Sequence, residues 1–119
     1  MRHKYGNFTT SQISLTKKNI RKQIFFLLLC VDPQTKKNYL YVNVTEAFKG
    51  LLYKLDGLSS VLDNPPELVD IISLLEEALI QYNSKLFDFQ TYRRLILGAG
   101  SIVDNITKAF NLPPLYYLL

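Results

Sequence analysis

Residues 64–92 read NPPELVDIISLLEEALIQYNSKLFDFQTY, and this stretch gives the clearest indication of a helical fold. Its apolar residues recur at three- and four-residue steps, a spacing that places them on one face of an α-helix. They are Leu68, Ile71, Ile72, Leu75, Leu79, Tyr82 and Leu86. Acidic residues such as Glu76 and Glu77 lie off that face. The pattern therefore predicts an amphipathic helix that packs its apolar side against a core.

Polar and proline residues mark where this helix and the next one begin. We expect Asn64 to cap the third helix of the chain, with Pro65 in the first turn, where a missing N–H costs nothing. We expect Asp88 to cap a fourth helix. Phe87 and Tyr92 would then take the two positions of a hydrophobic staple.

The predicted fourth helix has a long apolar seam and ends before Pro113 and Pro114. The seam consists of Tyr92, Leu95, Ile96, Ala99, Ile102, Val103, Ile106 and Phe110. Gly98 and Gly100 lie within it, and each costs up to about 1 kcal/mol relative to alanine. Two explanations stay open for these glycines: the close approach of a neighbouring helix, or a kink.

Two more helices are predicted upstream. Apolar residues at helical spacing indicate the first over residues 16–31. A strand is the competing interpretation for residues 24–31, but the length of the pattern favours a helix. The first helix should end at Pro33, because the residue before a proline avoids helical geometry. The second is predicted over residues 38–58.

Four amphipathic helices joined by short links predict an antiparallel four-helix bundle. We place it at residues 15–112. A loose, basic N-terminal arm over residues 1–14 precedes it, and an apolar C-terminal tail over residues 113–119 follows it.

Composition is consistent with one folded domain, because 48% of the 119 residues are hydrophobic and 20% are charged. The net charge of +4 is unevenly distributed: +7 in residues 1–37, −5 in residues 38–91 and +2 in residues 92–119. A basic end can favour an anionic membrane or a nucleic acid, but a solvated, flexible arm is the preferred interpretation.

The apolar run at residues 24–31 follows several basic residues, as in a signal peptide. It is too short to span a membrane, which takes about 20 apolar residues, and no small-residue cleavage site follows it. We therefore expect a cytosolic protein.

We expect no catalytic set, cofactor, metal site or small-molecule substrate, and hence no enzyme. His3 is the only histidine, and Cys30, the only cysteine, lies in an apolar helix where a buried, inert thiol is expected. Neighbouring Glu76 and Glu77 indicate a solvated face, since a carboxylate metal site needs inward-facing partners. Gly98-Ala99-Gly100 lacks the flanking pattern of a phosphate loop.

Four motifs follow one another in the second half of the chain: Asn64-Pro65-Pro66-x-Leu68, Ile71-Ile72-x-Leu74-Leu75, Tyr82-Asn83-Ser84-Lys85-Leu86 and Phe89-Gln90-Thr91-Tyr92-x-x-Leu95. With these motifs, the chain from residue 31 to about residue 106 resembles the enterocin A-type immunity proteins, which protect bacteria from pediocin-like bacteriocins. This sequence departs from the family in its longer basic arm, in Arg93-Arg94 and in the diproline before the tail.

The resemblance implies a cytosolic four-helix bundle that acts at the inner membrane face. Its partner would be the complex of a bacteriocin with the mannose phosphotransferase permease, and binding would prevent lethal leakage. In the family, the C-terminal half sets which toxin is resisted. Carried over to this chain, that indicates partner-binding residues at Phe89, Tyr92, Arg93, Arg94, Tyr116 and Tyr117. For the aromatic residues, core packing is an equally good interpretation.

A second hypothesis is a small helical regulator or adaptor. It would bind another protein or a nucleic acid through the basic N-terminal region. No nucleic-acid motif of defined spacing supports the latter partner, so we do not expect nucleic acid to be bound.

Overall fold

The computed structural model describes residues 2–3, 6–7 and 9–106 of the chain. Four α-helices make up most of this part, namely α1 (Thr10–Leu29), α2 (Val44–Val61), α3 (Pro66–Tyr82) and α4 (Phe89–Ile102). Short 3₁₀ turns occur at Lys36–Tyr39 and Val103–Asn105. Strands Arg2–His3 (β1) and Gly6–Asn7 (β2) pair antiparallel ahead of α1. The prediction of a helical fold is confirmed.

The first helix begins earlier than predicted. Thr9 and Gln12 form a capping box, in which the Gln12 amide donates to Thr9 Oγ1 at 3.1 Å and the Thr9 amide donates to Gln12 Oε1 at 2.8 Å. Residues 10–14, which we assigned to the arm, therefore lie in α1. Residues 1, 4, 5 and 8 of the predicted arm lie outside the described residues.

The second helix begins later than predicted. The side chain of Asn43 accepts a hydrogen bond from the Glu46 amide at 3.1 Å and caps α2 just before Val44. Residues 38–43, which we placed in the helix, instead form a 3₁₀ turn and a short connection. The polar cap thus determines the start of α2, although the apolar pattern extends upstream of it.

Asn64 does not cap α3, contrary to the prediction. Its backbone adopts a positive φ of 55°, and its Oδ1 accepts a hydrogen bond from Ser59 Oγ at 3.2 Å. Asn64 therefore helps to close the end of α2, as asparagine tolerates this left-handed conformation better than most residues do. Pro65 takes the capping position of α3 without a side-chain hydrogen bond.

All four helices contribute to one hydrophobic core. Its fully buried large side chains come from each helix and from the turn after α4: Ile24, Leu27, Phe48, Leu55, Leu68, Ile71, Leu75, Tyr92, Ile96, Val103 and Ile106. α3 and α4 pack against each other most extensively, α2 packs on α3, and α1 packs on α4. Contact between α1 and α2 is less extensive.

The glycines of α4 lie at its contacts with two neighbouring helices. A Cβ built on Gly98 would lie 3.5 Å from Leu74 Cδ1 of α3, and one on Gly100 would lie 3.8 Å from Phe25 Cζ of α1. The helix continues without a break through both positions. The unbroken helix disfavours a kink, and the ordinary contact distances leave room for a methyl group at each glycine, so close packing does not require glycine at either position.

Candidate functional site at the start of the fourth helix

Asp88 fixes the start of α4, as predicted. Its carboxylate accepts hydrogen bonds from the Thr91 hydroxyl at 2.6 Å and the Thr91 amide at 3.2 Å. These bonds lower the pKa of Asp88 below its usual range, since they favour the charged form. The Asp88 amide donates to Gln81 Oε1 at 2.8 Å, which ties the cap to the last turn of α3. The first turn of α4 is therefore held from two sides.

Tyr92 belongs to the core, so our inclusion of it among the partner-binding residues is wrong. Its side chain is fully buried, with 0% exposure. The ring lies 5.8 Å from that of Phe87 and 6.2 Å from that of Phe48, measured between centroids. The Phe87 contact confirms the predicted hydrophobic staple. A side chain without exposed surface cannot contact a partner.

The hydroxyl of Tyr92 also connects α4 to α1. It donates a hydrogen bond of 2.7 Å to the carbonyl oxygen of Leu27. That carbonyl lies in the last turn of α1, where Val31 donates to Leu28 instead. Tyr92 thus supplies a donor where the helix end lacks one. Burial is the main cause that raises the pKa of Tyr92 far above its ordinary value, so the hydroxyl stays neutral and able to donate.

Arg93 and Arg94 point outward from this anchored turn. Both side chains are exposed, and neither forms a salt bridge with a carboxylate among the described residues. Phe89, one turn earlier, is half-buried and stacks on Tyr92 at 6.5 Å between ring centroids. Of the six predicted site residues, Phe89, Arg93 and Arg94 leave side-chain surface exposed within the first two turns of α4.

Leu86, in the turn before α4, is exposed, contrary to our prediction. We assigned it to the apolar seam of the third helix, but α3 ends at Tyr82 and Leu86 is 88% exposed. The signal that could have corrected this is Asn83-Ser84, since both residue types favour turns over helix interiors. Exposed Lys85 adds a third positive charge beside Leu86.

We call the set of Lys85, Leu86, Phe89, Arg93 and Arg94 the α4 corner, in which all side chains except the half-buried Phe89 are exposed. It combines three cationic side chains with apolar surface on a helix start that is capped and packed. Arginine can pair with carboxylates or carbonyl oxygens through several N–H groups at once. The corner can therefore recognise a protein surface with acidic and apolar groups.

Tyr116 and Tyr117, the two other predicted contacts, lie outside the described residues, as does the whole predicted tail.

Among the described residues, the side chains with reactive groups are separated from one another or buried. Cys30 is buried, and this raises the pKa of its thiol, which makes the reactive thiolate scarcer. Glu76 and Glu77 are exposed on α3. Nowhere in the described ranges do three or more His, Cys, Asp or Glu residues gather in a way that could hold a metal ion.

A groove of about 310 Å³ separates parts of α1 and α2. Its floor is apolar and includes Ile20 and Leu55, while Asn19, Gln23 and Lys54 contribute polar groups. This lining contains a single charged residue and no pair of groups suited to acid–base or nucleophilic catalysis.

In the part of the chain that the structure describes, no helix has both the length and the apolar character needed to cross a bilayer. No family model, curated protein or solved structure matches the chain.

Proposed function

We propose that this protein is an immunity protein against a pediocin-like bacteriocin and that it acts through the α4 corner. The observation that carries the proposal is the pair of exposed arginines, which form no salt bridge with a carboxylate of the described residues, on a helix start held by Asp88. Rigidly supported arginine and apolar side chains are typical of the few residues that dominate protein–protein affinity. The resemblance of residues 31–106 to enterocin A-type immunity proteins supplies the biological context.

The proposed fold is an antiparallel four-helix bundle. Contacts between α1 and α4 support it, because they follow opposite directions along the two helices. Midway along α1, Arg21 forms a salt bridge with Asp104, just after the end of α4. Near the end of α1, Leu27 accepts the hydrogen bond of Tyr92, in the first turns of α4.

The proposed partner is the complex of bacteriocin and mannose phosphotransferase permease, approached from the cytosolic side of the membrane. The guanidinium groups of Arg93 and Arg94 would pair with acidic or carbonyl groups, and Leu86 and Phe89 would bury apolar surface beside them. By occupying this surface, the protein would prevent leakage through the complex. This role requires no enzyme activity, cofactor or small-molecule substrate.

The test is protection of a sensitive strain that carries the mannose permease. Cells that express this protein should resist one or a few pediocin-like bacteriocins in a broad panel. They should stay sensitive to pore formers that do not use the permease. The protein should also co-purify with the permease when the toxin is present. Absence of protection across the panel, together with absence of co-purification, would remove the proposal.

An exchange experiment tests where specificity lies. Residues 83–119 would be replaced by the corresponding segment of an enterocin A-type immunity protein of known specificity. The chimera should protect against the toxin of the donor, because the exchanged segment contains the α4 corner. Protection that instead follows residues 1–82 would place recognition elsewhere.

The alternative is a helical regulator or adaptor, and the basic character of α1 favours it. That helix carries Lys17, Lys18, Arg21 and Lys22 and contains no acidic residue. Gene context distinguishes the two proposals. A neighbouring gene for a short secreted peptide with a Tyr-Gly-Asn-Gly-Val-type N-terminus supports immunity, whereas a transcription or mobile-element operon supports the adaptor.

A further inference from the structure

The outward side of α1 combines lysines with exposed apolar residues. Leu15, Lys18, Lys22, Phe25 and Leu29 follow one another at steps of three or four residues, so they lie along one side of the helix. Lys18 and Lys22 are exposed, and the exposed fractions of Leu15, Phe25 and Leu29 are 58%, 39% and 37%. We call these five residues the α1 outer face.

This face lies away from the buried side of α1, although Phe25 adjoins Gly100 of α4. The opposite side of α1 packs inward through four buried residues, Ile13, Ile20, Ile24 and Leu27. The apolar residues of the outer face therefore keep part of their surface in water, although α1 already has a complete buried side. Transferring them out of water is favourable, in proportion to the apolar area removed.

Charge on the α1 outer face is uniformly positive. Residues 10–29 include no aspartate or glutamate. Asp104, which approaches α1 from the turn after α4, forms its salt bridge with Arg21. No carboxylate of the described residues forms a salt bridge with Lys18 or Lys22. Both lysines are thus available to an anionic surface.

We infer that the α1 outer face docks the protein on an anionic phospholipid bilayer. A helix lying in the membrane interface buries its apolar side about 5–10 Å into the boundary between headgroups and acyl chains. The long stems of Lys18 and Lys22 let their ammonium groups reach lipid phosphates while Phe25 and Leu29 enter that boundary. A nucleic acid would contact the lysines but would leave the leucines unburied, so it fits this surface less well.

This docking also orients the α4 corner. A Cβ on Gly100 would lie 3.8 Å from Phe25 and 3.9 Å from Ile24, so this side of α4 adjoins α1. Arg93 precedes Gly100 by two helical turns and therefore lies on the same side of α4. Membrane docking through α1 would bring Arg93 near the bilayer. The inference does not depend on the immunity proposal, since it rests on α1 alone.

Fluorescence tests insertion directly, because the chain contains no tryptophan. The variant Leu29→Trp places a single indole on the α1 outer face. Its emission should shift to shorter wavelength with vesicles in which about a third of the lipid is phosphatidylglycerol, the rest being phosphatidylcholine. Pure phosphatidylcholine vesicles should cause little change. High salt added before insertion should weaken binding, since the attraction is screened.

Charge variants give a matched comparison. In flotation with the same anionic vesicles, Lys18→Glu with Lys22→Glu should lower the binding constant at least about 25-fold, because each lysine near the surface contributes roughly a factor of five. Lys49→Glu with Lys54→Glu changes the net charge equally on α2 and should alter binding less than about threefold. A milder pair, Lys18→Gln with Lys22→Gln, keeps the test valid if the glutamate variant does not fold.

Three results would overturn the inference. One is failure of the wild-type protein to bind anionic vesicles. The second is equal loss of binding in the α1 and α2 variants, which would indicate attraction by net charge alone. The third is an emission shift of the Leu29→Trp variant that depends on protein concentration without vesicles, which would identify the α1 outer face as an interface between two copies. A protection assay stays informative in each case, because the α4 corner is unchanged in these variants.

Discussion

The contact between α3 and α4 differs sharply from that between α1 and α2. Leu75 of α3 and Ile96 of α4 are completely buried, and the turn between these helices is tied by the Gln81–Asp88 hydrogen bond. In contrast, α1 and α2 are partly separated by a groove of about 310 Å³ in which Leu58 remains half-buried. The more closely packed α3–α4 pair therefore provides the rigid support of the molecule.

This rigidity matters for the α4 corner, because binding costs less when contact residues need not be ordered first. The α1–α2 side has few close contacts to lose, so substitutions there should be tolerated better. Substitutions in the two regions should therefore differ in their effect on stability.

The largest effect should come from a charge in the α3–α4 pair. Leu75→Asp should unfold the protein, because an unpaired carboxylate would be buried where the side chain has 0% exposure. Leu58→Asp, at the groove, should leave a folded protein with lowered stability, since its carboxylate can stay hydrated. Circular dichroism and thermal melting measure both.

Ile80→Asp on α3 serves as a control, because Ile80 is 72% exposed and should tolerate the same change. Ile72→Asp should have an intermediate effect, as Ile72 is half-buried on the flank of the seam rather than at its centre. A native-like melt of the Leu75 variant would contradict the assignment of the buried side of α3.

Removal of the Tyr92 hydroxyl should have the next largest effect. Tyr92→Phe keeps the ring packing but leaves the Leu27 carbonyl without this donor, which should cost about 2 kcal/mol of unfolding free energy. Urea unfolding measures it. The control Tyr53→Phe alters a side chain that is 82% exposed and should change stability little. Equal stability of the Tyr92 variant and the wild type would show that water satisfies the carbonyl.

Alanine at the glycines of α4 should stabilise the protein slightly. Gly98→Ala and Gly100→Ala each remove the entropic cost of glycine, and the new Cβ meets its neighbours at ordinary contact distances. Each should raise the free energy of unfolding by up to about 1 kcal/mol. Gly50→Ala on α2, where the Cβ would meet nothing within 4 Å, isolates the helix propensity. Destabilisation confined to the α4 variants would mean that α4 packs too tightly for a methyl group.

The smallest effect concerns the cap of α4 and appears only in acid. Because the pKa of Asp88 is lowered in the folded protein, its charged form adds stability above its ordinary pKa, near pH 4. This contribution is lost as the pH falls through the lowered value. Asp88→Asn keeps a capping oxygen but cannot titrate.

The stability difference between wild type and the Asp88→Asn variant should therefore be constant from about pH 7 to pH 5 and change below about pH 4. Thermal melts across this range measure it. A difference that stays constant down to pH 2 would contradict the linkage to Asp88.

Local signals predicted the helices and several of their ends. Asp88 and the Phe87–Tyr92 staple were predictable, since a cap and its apolar partners lie within a few residues. The same kind of signal was present in Thr9 and Gln12 but was assigned to the arm. Asn64 was misassigned because a polar residue between two helices can end one or begin the other, and only the backbone conformation decides which.

The role of Tyr92 could not be predicted in this way. Its hydroxyl donates a hydrogen bond to the carbonyl oxygen of Leu27, 65 positions away, so the pattern of neighbouring residues cannot predict the contact. Leu86 was assigned to a seam because its spacing fits, although α3 ends four residues before it. The arginines of the α4 corner were located correctly at the surface because their charge alone disfavours burial.

Protection by the double variant Arg93→Ala with Arg94→Ala tests directly whether the α4 corner carries recognition. Protection against the cognate bacteriocin should fall at least about tenfold, as expected for contact residues of an interface. Melting should be nearly unchanged, because both side chains are exposed. The control Lys49→Ala with Lys54→Ala removes two charges from α2 and should keep full protection. Full protection by the arginine variant, or an equal loss in the control, would contradict the proposal that the α4 corner carries recognition.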